Sequence, residues 1–189
     1  MPGGGDGLAW RDGYLLVSDY DWGIYTFTAN GDEVTSFPLE PGASGLAWDG
    51  KHVWTCSDGT GRIYKISLQG EVIYSFDSPN KNCRGLCWDG SYLWVAEWSD
   101  GFVGVISKLT SDGELLDSFQ FPTYPGFADG LACAGEYLWV GSGALRKLTK
   151  QGDILETFSY SVGSAGLAWD GYYLWAGDGL RNVYKLEVE

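Results

Sequence analysis

Gly45-Leu46-Ala47-Trp48-Asp49-Gly50 opens a unit that occurs five times along the chain. Its first four residues return as Gly7-Leu8-Ala9-Trp10, Gly85-Leu86-Cys87-Trp88, Gly130-Leu131-Ala132-Cys133 and Gly166-Leu167-Ala168-Trp169. The five starts lie 38, 40, 45 and 36 residues apart. A period of about forty marks a repeat architecture, in which each unit buries its apolar faces only against its neighbours.

Within the second unit, Gly45–Trp48 reads as a short apolar strand and Asp49-Gly50 as a turn. Asp-Gly between apolar runs signals a tight hairpin, because both central residues of a type I′ turn need positive φ. Lys51–Cys56 is the second strand, Ser57–Gly61 a loop, Arg62–Ile66 the third strand and Glu71–Phe76 the fourth. The other units repeat this grammar, with first turns at Asp12-Gly13, Asp89-Gly90, Ala134-Gly135 and Asp170-Gly171. Second turns fall at Asn30-Gly31, Gln69-Gly70, Asp112-Gly113 and Gln151-Gly152. Four antiparallel strands per unit, with no helical period between them, predict an all-β five-bladed β-propeller spanning residues 1–189 as a single domain. The fifth unit supplies Gly166–Trp169, Tyr173–Gly177 and Val183–Val188 and no fourth strand, which leaves Asn182–Val188 as an expected edge. Lys185, Glu187 and Glu189 are charges that would blunt it, and pairing with another chain is the alternative way to satisfy it.

Composition bounds the function. The 189 residues are 44% hydrophobic and hold 10 Trp, 12 Tyr and 8 Phe, ample for a packed core. Twenty-nine glycines suit an all-β chain with frequent turns. A formal net charge of −13, with scattered Lys and Arg, argues against nucleic-acid binding. No apolar run reaches the ~20 residues of a membrane helix, so no membrane partner is expected. No signal peptide precedes the first repeat, which leaves the compartment open between cytoplasmic and secreted after processing. The cysteines Cys56, Cys83, Cys87 and Cys133 match no zinc spacing and are expected as buried free thiols; a disulfide at Cys83 is the alternative in an exported protein.

The repeated Gly-Leu-Ala-Trp-Asp-Gly-x-x-Leu-Trp unit, the acidic residues Asp19, Asp58 and Asp178 after the second strands, and the Ile-Tyr-Lys-Ile and Val-Tyr-Lys-Leu third strands carry a family resemblance. Over residues 7–189 the chain resembles the propeller superfamily of NHL, SMP-30/gluconolactonase-like and five-bladed glutamine cyclotransferase-like proteins. It differs from WD40 repeats, because its Trp-Asp pairs precede the first turn without a Gly-His element. The resemblance implies a propeller, with members ranging from enzymes to binding scaffolds.

Most of the tryptophans are expected in blade-to-blade packing: Trp10, Trp48, Trp88 and Trp169 on first strands, Trp54, Trp94, Trp139 and Trp175 on second strands. Trp22 and Trp98 depart from that pattern, lie in expected loops and sit beside carboxylates, a combination suited to stacking a sugar or meeting a protein. The expansion of the third unit, over Trp98–Val105 and Phe121–Asp129, carries Tyr124 and Phe127 and makes that rim the expected ligand surface, with Glu97 and Arg84 beside it. Asp6 and Asp129 precede their Gly-Leu starts on the same face, where carboxylates would suit calcium; in the lactonase-like relatives a metal sits in this region. His52 is the only histidine, placed in a second strand without a serine nucleophile motif.

Uniform repeats, no lid-length insertion and few catalytic residue types favour a non-catalytic binding or assembly module. Its expected partners are a protein, a glycan or a second copy of the chain through the fifth blade. The alternatives are a metal-dependent lactonase-like hydrolase, a glutamine-cyclotransferase-like enzyme and a lectin-like propeller.

Overall fold

In a computed structural model, residues 7–19, 23–40, 42–57, 59–99, 103–121, 129–159, 166–179 and 182–188 are described. They form nineteen strands in five antiparallel sheets. Blade 1 comprises β1 (Gly7–Arg11), β2 (Tyr14–Asp19), β3 (Gly23–Thr28) and β4 (Glu33–Phe37). Blade 2 comprises β5 (Leu46–Trp48), β6 (Val53–Ser57), β7 (Arg62–Ile66) and β8 (Val72–Asp77). Blade 3 is longer, with β9 (Cys83–Trp88), β10 (Leu93–Ser99), β11 (Val103–Leu109) and β12 (Leu115–Phe121). Blade 4 comprises β13 (Gly130–Ala134), β14 (Tyr137–Gly141), β15 (Leu145–Thr149) and β16 (Ile154–Phe158). Blade 5 holds β17 (Leu167–Trp169), β18 (Leu174–Gly177) and β19 (Val183–Leu186). Strand order follows chain order in every sheet, and the fifth sheet has three strands. The chain is a five-bladed β-propeller, as its repeats predict.

The ring closes through the inner strands, with β1 beside β5, β5 beside β9, β9 beside β13, β13 beside β17 and β17 back beside β1. The repeated glycine exists for this approach. A Cβ on Gly45 would lie 2.6 Å from the Arg84 carbonyl oxygen, and one on Gly166 would lie 2.9 Å from the Leu8 amide nitrogen. Any larger residue would push neighbouring blades apart.

The Ala and Trp of the motif build the seams. Each of the five seams holds one small inner-strand residue, the residue opposite it on the second strand, and the fourth motif residue of the next blade. Trp88 stacks on Trp54 with ring centroids 6.5 Å apart, and Trp10 stacks on Trp175 at 5.5 Å. On the opposite strand a lysine faces each second-strand tryptophan: Lys65 with Trp54, Lys108 with Trp94, Lys147 with Trp139 and Lys185 with Trp175. Each ammonium lies 5.0–5.7 Å from the indole centroid, within cation–π range. Blade 1 places Leu16 and Thr26 at these two positions, so both members change together.

The motif aspartate does something the type I′ expectation misses. Positive φ at both turn residues occurs at Asp12-Gly13; at the other Asp-Gly pairs the glycine alone adopts it. There the aspartate caps a wider turn. Asp49 Oδ1 accepts the Lys51 and His52 amides, and Asp49 Oδ2 accepts the Trp54 indole N–H at 3.0 Å. Asp89 and Asp170 repeat the arrangement with Trp94 and Trp175. His52 belongs to this turn rather than to a strand, its Nδ1 3.4 Å from Asp49 Oδ2.

The cysteine expectation needs correction. Cys87 and Cys133 form a disulfide between the inner strands of blades 3 and 4, while Cys56 and Cys83 are buried thiols. Cys87 stands where other units have alanine, and Cys133 where they have tryptophan. At that seam a covalent bond replaces the indole stack.

Candidate functional site

The third-blade rim is built from its longer strands. Trp98 lies within β10, paired with Gly104, and is half-buried, which corrects its expected loop position. Glu97 is 1% exposed, at the end of the same strand. Its Oε1 accepts the Asn80 backbone amide at 3.0 Å and its Oε2 accepts Asn80 Nδ2 at 3.0 Å and the Ser107 hydroxyl at 3.4 Å. A buried carboxylate requires such donors, since an ion removed from water without them is strongly disfavoured. Glu97 therefore clamps the connection from blade 2 to blade 3 onto β11. Asn82 adds to the clamp, its Nδ2 donating to the Asn80 and Trp98 carbonyls, both at 3.2 Å.

Beside this clamp runs a groove of about 360 Å³, lined by Pro79, Asn80, Ser99, Val105, Ser107, Leu115, Ser118, Phe119 and Gln120. That volume lies in the range of small-molecule sites, and the hydroxyls and amides offer neutral hydrogen bonding. The axial space among the Leu, Ala and Trp residues of the inner strands is different: it holds about 60 Å³ and is apolar. It is too small for a substrate.

Of the other expected site residues, Arg84 and Asp129 each directly precede an inner-strand glycine, in blades 3 and 4, and both are half-buried. Asp6, Trp22, Tyr124 and Phe127 lie outside the described residues. Glu97 accepts from Asn80 and Ser107. Among the described residues no three His, Cys, Asp or Glu side chains converge as a metal site.

The most distinctive site is the one where the repeats become unequal. In blades 1–4 the outer strand covers a third-strand residue with a phenylalanine: Ile24 by Phe37, Ile63 by Phe76, Ile106 by Phe119 and Leu145 by Phe158. The covered residues are 0% exposed in the first three cases and 4% in the fourth. Val183 holds the same position in blade 5 and is only half-buried, while Lys185 is exposed where Lys65, Lys108 and Lys147 are half-buried. The phenylalanine rings also reach across seams. A Cβ added to Gly70, Gly113 or Gly152 would meet the ring of Phe37, Phe76 or Phe119 of the preceding blade within 2.8 Å. No described residue lies within 4 Å of a Cβ on the corresponding Gly31, at the seam of blade 5 with blade 1. Sequence reasoning located the edge; the seat at Gly31 is legible only once the seams are known.

No protein-family model matches the chain, and no curated protein matches it. Its fold is similar to solved structures. One is the glutaminyl cyclase of Myxococcus xanthus, with a TM-score of 0.77, 15% identity, and coverage of 97% of this chain and 89% of that one. A chain of a nidogen/laminin complex gives a TM-score of 0.67 and 19% identity, covering 96% and 74%. Streptogramin B lyase gives 0.55 and 14%, covering 100% and 85%. At these identities the likeness is one of fold.

Proposed function

We propose that this protein is a binding and assembly module whose working surface is the outer edge of β19, taken up by strand addition from a protein partner or from a second copy of the chain. The observation that carries this reading is the uncovered Val183, set against its fully covered counterparts in blades 1–4. An open strand in a half-covered sheet presents backbone donors and acceptors together with apolar surface, the two ingredients of strand addition. A fold neighbour from a nidogen/laminin complex accords with a propeller that binds protein. Sedimentation over a concentration series tests it: the mass should rise above 20.6 kDa. Val183→Lys, which places a charge in the uncovered apolar strip, should return it to the monomer. A mass that stays at 20.6 kDa throughout overturns self-assembly.

A glutaminyl-cyclase-type activity is the second reading, favoured by the blade 3 groove and by the similarity in fold to such an enzyme. It requires release of ammonia from a peptide with N-terminal glutamine. A protein that releases none has no such activity.

A further inference from the structure

The four complete blades specify what the fifth one lacks. Their outer strands read Glu33-Val34-Thr35-Ser36-Phe37, Val72-Ile73-Tyr74-Ser75-Phe76, Leu115-Leu116-Asp117-Ser118-Phe119 and Ile154-Leu155-Glu156-Thr157-Phe158. All end in Ser or Thr followed by Phe. The middle residue faces a third-strand lysine in three blades, and it is acidic in two of these: Asp117 opposite Lys108 and Glu156 opposite Lys147. In blade 4 the two form an ion pair at 3.6 Å. Blade 5 has its lysine in place: Lys185 is exposed, pairs with Trp175 and lies over the Tyr173 ring at 3.8 Å. It has the aromatic wall as well, since Trp175 occupies the position from which Trp54 and Trp139 contact Phe76 and Phe158 at 6.1 and 5.7 Å. Gly31, with no described residue over it, is the remaining side of the seat.

We infer that the edge of β19 binds an extended peptide segment with the pattern aliphatic–aliphatic–Asp/Glu–Ser/Thr–Phe. The segment runs antiparallel to β19, with its phenylalanine opposite Val183, its hydroxyl residue opposite Tyr184 and its carboxylate opposite Lys185. The two aliphatic residues lie against Leu186. Charge complementarity at Lys185 and the shape of the seat select this occupant. Blades 3 and 4 carry this pattern in full, at Leu115–Phe119 and Ile154–Phe158, and both copies are already paired in their own sheets. The β19 sequence Val183-Tyr184-Lys185-Leu186 lacks both the acid and the phenylalanine, which makes a second copy's own edge the poorer match. This inference rests on the reading of β19 as the working edge.

The test is a fluorescence-anisotropy titration of the 189-residue protein with a labelled peptide of residues 152–159, Gly-Asp-Ile-Leu-Glu-Thr-Phe-Ser. Saturable binding is expected. Replacing the peptide's phenylalanine by alanine should weaken it about tenfold or more, the scale of losing one buried aromatic side chain. Lys185→Glu in the protein should weaken the native peptide and strengthen a peptide carrying lysine in place of its glutamate. Binding that ignores both peptide changes overturns the pattern while leaving the edge reading intact. So does absence of peptide binding together with a concentration-dependent mass that Val183→Lys abolishes. Absence of both peptide binding and self-association overturns the two together.

Discussion

Cys133 of blade 4 is bonded to Cys87 of blade 3 at the one seam whose first-strand tryptophan is missing. The bond links residues 46 apart in sequence. A cross-link of that span stabilises by about 3–4 kcal/mol on the chain-entropy view. Reduction, or Cys133→Ala, should therefore lower the melting temperature, and two of the four cysteines should react with a thiol reagent in denaturant before reduction. The pair Cys87→Ala with Cys133→Trp restores the residues of the other seams. It should melt above Cys133→Ala and show no response to reductant. A melting curve unaffected by reductant in the parent protein would refute the disulfide.

Asp89 joins two blades, its Oδ2 accepting the Trp94 indole at 2.8 Å and the Lys150 ammonium of blade 4 at 2.9 Å. Asp89→Ala removes a turn cap and leaves the buried Trp94 indole and the half-buried Lys150 ammonium without their acceptor. A loss of about 2–3 kcal/mol is expected in urea unfolding, on the scale of an unmet buried donor and a lost cap. Lys65→Met, which gives up its 3.4 Å contact with the equivalent Asp49 but keeps packing over Trp54, should cost less.

The same carboxylates set a pH dependence. Burial pushes Asp49, Asp89 and Asp170 up, but the indole and backbone donors around each, with a nearby lysine, outweigh it and hold all three below the usual carboxylate range. A carboxyl that binds its proton less readily folded than unfolded adds stability above its unfolded pKa. That stability is lost as pH falls through the folded value. Unfolding free energy should thus be level near neutrality and decline below pH about 4. In the triple variant with asparagine at all three positions that decline should be shallower.

Gly45→Ala should be among the most damaging single-methyl changes, because the added carbon meets the Arg84 carbonyl of the next blade. Overpacking of this kind costs about 1–3 kcal/mol, and here the obstacle is backbone. Gly50→Ala is the control: its added carbon meets nothing, and only the positive φ of 91° opposes it, at about 1 kcal/mol. Equal losses for the two would contradict the ring packing.

Glu97→Ala should loosen the blade 2–3 connection, since the Asn80 amide and carboxamide both lose their acceptor. Faster hydrogen exchange at Asn80 and a loss of about 2–3 kcal/mol are expected, the scale of stranding buried donors. Exchange unchanged at that amide would show that the carboxylate does not hold the loop.

The sequence by itself determined the number of blades, the order of strands and the unfinished fifth sheet. Those follow from short-range alternation, turn residues and a period that each unit repeats, all of which are local signals. It also marked Glu97, because it adjoins Trp98 at the rim where the third unit departs from the repeat. Tertiary structure alone decided that Cys87 meets Cys133, that Trp98 is paired in a strand, and that Glu97 clamps Asn80. It also decided that no described residue fills the seat at Gly31. The disulfide, the Asn80 clamp and the Gly31 seat depend on contacts between neighbouring blades, which a one-blade period cannot encode, and the strand at Trp98 depends on where the β10–β11 hairpin extends. The repeat says what every seam should contain, and only the packed ring shows where one is bonded by sulfur and where one lacks its phenylalanine.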